Sequence, residues 1–212
     1  MEKARLWAVE WKQGGETLLA IEPDDSELRR AAPDLAGFYN DDHNRRMMGH
    51  ENDGFTADDV VAYYEELRAE EGRPFLLLLN GELMGDADFR NIDLEDATGE
   101  FAIMIGGRAT QGRGLGTRFG RMLHAFGFET LGLTRIYISV IPSNAASRRL
   151  FERLGYQIDD SPGAREFIDE ESDITMSLAR TAFEQTRAVD LAANPASGLA
   201  GVRAFERSAA AL

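Results

Sequence analysis

Gln111-Gly112-Arg113-Gly114-Leu115-Gly116-Thr117 decides the reading of this chain, because it joins the exit of one strand to the start of a helix through a run of glycines. Glycine has no Cβ, so the main chain at such a turn can close on a ligand. The unpaired N–H groups of the first helical turn add partial positive charge. Together these features predict a seat for an anion, flanked by Arg113 and Arg118. Two familiar phosphate loops do not fit. A P-loop needs Gly-Lys followed by Ser or Thr, and a dinucleotide fingerprint needs a third Gly or Ala at an offset where Gly114-Leu115-Gly116-Thr117-Arg118-Phe119 offers none.

On either side lie segments that make sense of the turn. Upstream, Gly99 to Ile105 reads as a strand. Downstream, Arg135-Ile-Tyr-Ile-Ser-Val-Ile141 reads as a buried strand, Pro142-Ser143-Asn144 as a turn and Ala145 to Leu154 as a short helix, with Gly155-Tyr156 opening another strand. Gln/Arg-x-x-Gly-x-Gly/Ala, then Asn-x-x-Ala/Ser on a helix that ends in Gly-Tyr, resembles the GNAT acetyl-CoA-dependent N-acetyltransferases. The resemblance runs from about Thr17 to Arg180 and is specific across Gly99 to Tyr156. Within the family it leans toward the spermidine N-acetyltransferases and the enzymes that acetylate ribosomal-protein N-termini.

The resemblance implies an α/β chain with a single-domain GNAT fold: a mixed, twisted sheet whose central parallel strands splay apart, with helices on both faces. It also implies acetyl-CoA as co-substrate and an amine-bearing acceptor, either a small molecule such as a polyamine or a protein N-terminus. The pyrophosphate would sit on Gln111, Gly112, Arg113, Gly114, Leu115, Gly116 and Thr117. The pantetheine arm would lie along Ile103, Met104 and Ile105, with an N–H near Ile105 serving the developing oxyanion. Asn144 would hold pantetheine amides, or else simply cap its helix, a task that Ser143 also suits. Ser147 would hydrogen-bond or protonate the thiolate, the alternative being an ordinary helix-surface serine. Glu100 would act as a water-mediated general base, the alternative being a strand-edge carboxylate in water.

Two departures from the family pattern stand out. Phe151 occupies the place of a tyrosine that protonates the leaving thiolate, and phenylalanine has no proton to give. The approach Gly106-Gly107-Arg108-Ala109-Thr110 is slightly long and lacks the proline often found before this loop. A CoA-binding module without efficient turnover is therefore the second reading. An interaction protein that dimerises through its tail is the third.

Composition narrows the field further. With 212 residues, 43% of them apolar, and no linker-like stretch, the chain is expected to fold as one domain over 17–180, preceded by a strand-forming extension (1–16) and followed by an alanine-rich tail (181–212), helical or partly disordered. A homodimer is compatible with this layout. There is no cysteine, which removes disulfides, thiolate metal sites and a cysteine nucleophile together. No apolar run is long enough for a bilayer and no leader pattern opens the chain, so a cytoplasmic protein without a membrane partner is expected. A net charge of −14 argues against nucleic acid; it suits either simple solubility or attraction of a cationic substrate. His43, His50 and His124 are too scattered for a metal site and are expected in loops or at the surface. The acids Asp41, Asp42, Glu51, Asp53, Asp58 and Asp59 fall where related enzymes build a wall of the acceptor groove and could receive a polyamine's ammonium groups, though a solvated helical face is the preferred reading.

Local patterns predict several further elements. Arg5 to Trp11 and Thr17 to Ile21 flank a Gly14-Gly15 turn, and Phe75 to Leu79 and Leu83 to Phe89 flank Asn80-Gly81, so both pairs read as hairpins. Asp24 to Tyr39 reads as helix broken near Pro33, and Thr56 caps a cleaner helix with Val60, Tyr64 and Leu67 as its apolar stripe. A long helix from Gly114 to about Leu131 carries Leu115, Phe119, Met122 and Phe126 on one face, with His124 off that stripe. Asp173 to Leu178 gives the last expected strand.

Overall fold

Asn80 and Gly81 both take positive φ, 53° and 87°, as a two-residue type I′ turn requires. They join β3 (Arg73–Leu79) to β4 (Glu82–Asp93). Gly14 and Gly15, at 59° and 83°, do the same for β1 (Leu6–Gln13) and β2 (Glu16–Ile21). The Asn80 carboxamide oxygen accepts the Thr17 N–H at 2.9 Å, tying one hairpin to the other. A computed structural model describes residues 5–49, 54–106, 113–168, 170–193 and 199–207. In chain order the remaining strands are β5 (Thr98–Ile105), β6 (Arg135–Val140), β7 (Gln157–Ile158), β8 (Ile174–Ala179) and β9 (Arg203–Arg207). All of them join one sheet in the order β7-β8-β6-β5-β4-β3-β2-β1-β9.

Every neighbouring pair is antiparallel except β5 and β6. That parallel pair is registered only at Thr98/Arg135, Gly99/Ile136 and Glu100/Tyr137. Beyond it, β5 stays on β4 as far as Ile105, while β6 stays on β8 as far as Val140. The two strands therefore part and leave a wedge between them, the splay that the family resemblance implied.

Helices cover both faces of this sheet. On one face α4 (Leu115–Glu129), α5 (Ala145–Leu154) and α7 (Arg180–Ala193) close over the larger core, where Phe126 meets Trp7, Phe75 and Phe89 at ring separations of 5.7, 5.4 and 6.2 Å. On the other, α1 (Asp25–Tyr39) and α3 (Ala57–Ala69) build a smaller core around Leu28, Leu35, Val60 and Tyr64, with the short α2 (Asp42–Met47) following α1. Thr56 and Asp59 form the capping box that starts α3. A single turn, α6 (Pro162–Arg165), lies near the β8 edge.

Three local expectations are corrected here. Helix α1 runs unbroken through Pro33, because the proline lies on the exposed side, where water satisfies the carbonyl it leaves unpaired, while Ala32, Leu35 and Ala36 stay buried. The last segment carries, after α7, a strand absent from the sequence reading: β9 adds to β1 as an edge, and Arg207 forms a buried ion pair with Glu27 while donating to the Glu22 carbonyl at 3.2 Å. Residues of that strand gain their partner from the opposite end of the chain, which no local pattern reports.

His124 is the third correction. It is fully buried, with Nδ1 2.6 Å from the Gly120 carbonyl and Nε2 2.5 Å from the Tyr156 hydroxyl. A carbonyl only accepts, so Nδ1 carries the proton and Nε2 accepts from Tyr156. Burial pushes this imidazole down from 6.5 to about 4, partly opposed by the Gly120 carbonyl. A folded-state value below the unfolded one means that the stability contribution is whole above pH 6.5 and is lost as pH falls toward 4. At about 1.4 kcal/mol per unit, the loss is roughly 3 kcal/mol. Glu22 and Asp86, both raised to about 7, titrate over the same range in the opposite sense. The His124 contribution should therefore be read by urea unfolding at several pH values as the difference between the wild-type protein and His124→Gln, which does not titrate. Wild type should lose roughly 3 kcal/mol relative to the variant between about pH 7 and pH 4.

Candidate active site

The wedge is open because of how β5 is held on its other side. Gly106 donates its N–H to the Met84 carbonyl at 2.8 Å, toward β4. Successive residues of a strand present their N–H groups to opposite neighbours, so those of Ile105 and Ile103 face the wedge. Ile103, Met104 and Ile105 are half-buried. Two glycines make the arrangement possible. At Gly85, with φ of 150°, a Cβ would stand 2.0 Å from the Met104 carbonyl oxygen, and at Gly106 a Cβ would stand 2.1 Å from the Phe38 ring. The end of α1 thus rests directly on the end of β5.

Gly114 supplies the turn into α4 with φ of 72°, and no side chain caps the helix start. Among the described residues the N–H groups of its first turn thus receive no cap from their N-cap residue, the condition under which a helix start receives an anion. Leu115 anchors that turn in the core, and Gly116, where a Cβ would meet Leu150 at 3.3 Å, lets α5 pack against it. Thr117 is half-buried beside them, and Arg113 is exposed. Gln111 and Gly112, like 107–110, lie outside the described residues. Arg118 flanks the seat as expected, yet it is held by Glu16 at 2.7 Å and Gln13 at 3.1 Å, and Arg113 approaches Glu16 at 3.5 Å. These contacts fasten the first hairpin to the loop.

Across the wedge, Asn144 caps α5, accepting the Ser147 N–H at 2.9 Å, and its amide donates to the Met47 carbonyl at 2.9 Å. One lone pair and one N–H of that side chain remain. Ser147 is half-buried one turn further on. Phe151 turns inward, packed on Phe101 at 6.4 Å and Tyr156 at 5.2 Å. Because α2 reaches Asn144 through Met47 and approaches Met104 through Asn44, the corner between α1 and α2 bridges both arms of the wedge.

Beneath α1 and α3 the sheet carries a row of charge that the sequence reading missed apart from Glu100. The register places Arg90 opposite Glu100, Asp88 opposite Ala102 and Asp86 opposite Met104, all on one face. Glu100 is buried at the closed end, 3.2 Å from the Arg90 guanidinium and accepting from Asn91 at 2.9 Å. Arg90 also lies 3.6 Å from Asp88, which accepts from the Tyr63 hydroxyl at 3.2 Å. Asp86, at the wide end, accepts from the hydroxyls of Tyr39 and, at 3.2 Å, Tyr64. Burial pushes the Asp86 carboxyl up to about 7, the tyrosine hydrogen bonds opposing and the Asp88 charge adding. Tyr39 and Tyr64 are both held well above the ordinary tyrosine range, by burial first and by Asp86 next. The available signal was Gly85-Asp86-Ala87-Asp88, acids at alternate positions of a strand lying between apolar neighbours.

Most of the expected acidic wall serves local structure. Asp41 caps α2, Asp42 pairs with Arg45 at 2.8 Å and Asp59 completes the cap of α3, while Asp58 is exposed; His50, Glu51 and Asp53 lie outside the described residues. Among the described residues no three His, Asp or Glu side chains are grouped as metal ligands, and no helix is long and apolar enough to cross a membrane. A depression of about 720 Å³ at the β7–β8 edge, lined by Asp159, Arg165 and Glu171 among others, lies away from the wedge.

Comparison with known proteins agrees with this geometry. Residues 18–157 match the family model described as an acetyltransferase (GNAT) domain. Human alpha/beta-tubulin-N-acetyltransferase 9 is 36% identical over 76 residues, 35% of this chain and 37% of that protein. The spermidine N(1)-acetyltransferase of Escherichia coli K12 is 27% identical over 97 residues, 46% of this chain and 52% of that one. The chain thus spans between about a third and a half of these curated relatives. Among solved structures, Mycobacterium smegmatis RimJ in complex with CoA-disulfide superposes with a TM-score of 0.68 at 18% identity, covering 89% of this chain and 95% of that one.

The close approach at Gly85 gives a stability test. In Gly85→Ala the new carbon meets main chain, which cannot rotate aside, and the loss should be about 2–4 kcal/mol by urea unfolding. Gly14→Ala, with nothing within 4 Å of the added carbon, should lose only the left-handed strain, about 1 kcal/mol.

Proposed function

This chain belongs to the GNAT acetyltransferase family, and we propose that it moves an acetyl group from acetyl-CoA directly to a primary amine. A small cationic amine of the polyamine kind is the preferred acceptor, ahead of a protein N-terminus and then an aminoglycoside-like amine. One observation carries the reading: the parallel pairing stops at Glu100/Tyr137, leaving the wedge-facing main chain of β5 able to pair with a peptide-like arm. The pantetheine amides have that character, and the uncapped start of α4 with the left-handed Gly114 suits their diphosphate end. When bound, acetyl-CoA supplies an activated acetyl group in a thioester.

What the chain itself contributes follows from the site. The N–H groups of Ile103 and Ile105 orient the arm and offer a donor where carbonyl charge develops. Ser147 stands on the opposite arm in the first turn of α5 and is the group we assign to the departing sulfur in the absence of a tyrosine at Phe151. Asn144 fixes the distance between that arm and the α1–α2 corner through its bond to Met47. Transfer is direct because the chain has no cysteine to carry the acetyl group. The acidic balance of −14 favours a cationic acceptor, and the spermidine-acetylating relative agrees in kind. A CoA-binding module without efficient turnover is the second reading, motivated by Phe151.

Acetyl-CoA at about 100 times its dissociation constant should stabilise the protein by roughly 2.7 kcal/mol, raising the melting temperature by about 5–10 °C. An unmoved melting temperature rejects the proposal. Gly114→Val, strained at positive φ and filling the space in front of the helix start, should weaken acetyl-CoA by about tenfold or more in calorimetry. Acetylation of spermidine, a peptide with a free N-terminus and an aminoglycoside, followed by mass spectrometry, separates the enzyme from the module: binding without any acetylated amine supports the module.

A further inference from the structure

The wide end of the wedge holds a buried carboxylate that the proposed chemistry has not yet used. Asp86 is 7% exposed and, among the described residues, faces no cation directly. Around it stand Tyr39 from α1, Tyr64 and Tyr63 from α3 and Asp88 from its own strand, with Arg90 beyond Asp88; its cross-strand partners Leu76 on β3 and Met104 on β5 are apolar. Three contacts fix it beside the thioester end of the site: its register with Met104, the Phe38 ring on Gly106 and the approach of Asn44 to Met104. Tyr64 is buried, whereas Tyr39 is half-buried at the α1–α2 corner that bridges the wedge. Of the two residues that hydrogen-bond Asp86, Tyr39 is therefore the one with surface left to meet a solute.

The geometry points to Tyr39 and Asp86 as the relay that takes the proton from the acceptor amine, with Tyr39 touching the amine and Asp86 receiving through it. The inference rests on the proposed acetyl transfer. An N–H bond of the ammonium breaks as its proton passes to the Tyr39 oxygen, and the Tyr39 proton passes to the Asp86 carboxylate. The neutral amine then attacks the acetyl carbon. Its second proton leaves as the C–N bond forms and the C–S bond breaks, and goes to the departing thiolate, so CoA leaves as thiol. Asp86 returns its proton to water through Tyr39.

Several properties suit the pair to this step. A carboxyl raised to about 7 is still half ionised near neutral pH and is a far stronger base than an exposed aspartate. Tyr64 keeps the acceptor oxygens oriented. Glu100, by contrast, already has Arg90 and Asn91 on its oxygens at the closed end of the wedge.

The test uses the full chain with acetyl-CoA and spermidine, a peptide with a free N-terminus and an aminoglycoside as acceptors, kcat/KM being measured from pH 6 to 10 alongside acetyl-CoA affinity by calorimetry. The wild-type profile should rise through about pH 7. Tyr39→Phe and Asp86→Asn should each lower kcat/KM at pH 7 by about 100-fold or more, leave acetyl-CoA affinity within a factor of about two, and recover partly above pH 9, where free amine is plentiful. Tyr64→Phe removes a donor that favours the carboxylate, so the acid limb should move to higher pH, an effect that a purely structural role does not produce. Turnover and pH profile unchanged in Tyr39→Phe, which keeps the ring and its packing, overturn the relay while leaving the acetyl transfer standing. Wild-type protein that acetylates none of the three amines overturns the proposed function, and the relay with it.

Discussion

The parting of β5 from β6 beyond Glu100 and Tyr137 is the constraint on which the rest of this structure depends. A parallel pair in the middle of a sheet normally satisfies both strands, and a buried main-chain donor without a partner is costly. Here the pairing is given up over 101–105 of β5 and 138–140 of β6, and the neighbours compensate. β5 keeps β4 to its last residue, helped by Gly85, whose lack of a side chain lets the Met104 carbonyl approach. β6 keeps β8 throughout. What remains is a slot with polar main chain on one wall and a helix start at its mouth, formed by backbone and so largely indifferent to side-chain identity.

Much of the chain serves to hold that slot open. Arg118 and Arg113 fasten the first hairpin to the helix start through Glu16, and the hairpin is in turn pinned by β9 and the Arg207–Glu27 pair. From the other side, the corner between α1 and α2 rests on Gly106 and ties to Asn144, joining the two arms across the gap. The two faces differ in character. Beneath α4 the sheet is aromatic and aliphatic, with His124 and Tyr156 satisfying one another; beneath α1 and α3 it carries Asp86, Asp88, Arg90 and Glu100. Burying such groups is tolerable only with partners, and the tyrosines of α1 and α3 provide them.

Local signals were strongest where one residue type is required. The Asn80-Gly81 and Gly14-Gly15 turns, the Thr56 cap, Gly114 at the start of α4 and the helix from Ala145 to Leu154 closed by Gly155 are each set by neighbours in sequence, and they were legible for that reason. Pro33 misled because a helix-breaking preference is weaker than the burial of Ala32, Leu35 and Ala36 around it. His124 misled because its partner, Tyr156, lies outside its own helix.

The sequence alone therefore determined most of the elements, since these follow from glycine conformations, hydrophobic period and turn chemistry acting over a few residues. Its motifs carried the resemblance that named the family and implied which segment of β5 lies at the wedge. Only the tertiary structure decided which side chains meet. Tyr39 reaches Asp86 across 47 positions, Arg207 reaches Glu27 across 180, and Asn144 reaches Met47 across 97. Such contacts arise from the register of strands and the docking of helices on a sheet, and the Asp86 carboxyl is pushed up only because folding removes its water, with the tyrosine hydroxyls holding it in place and partly opposing the shift.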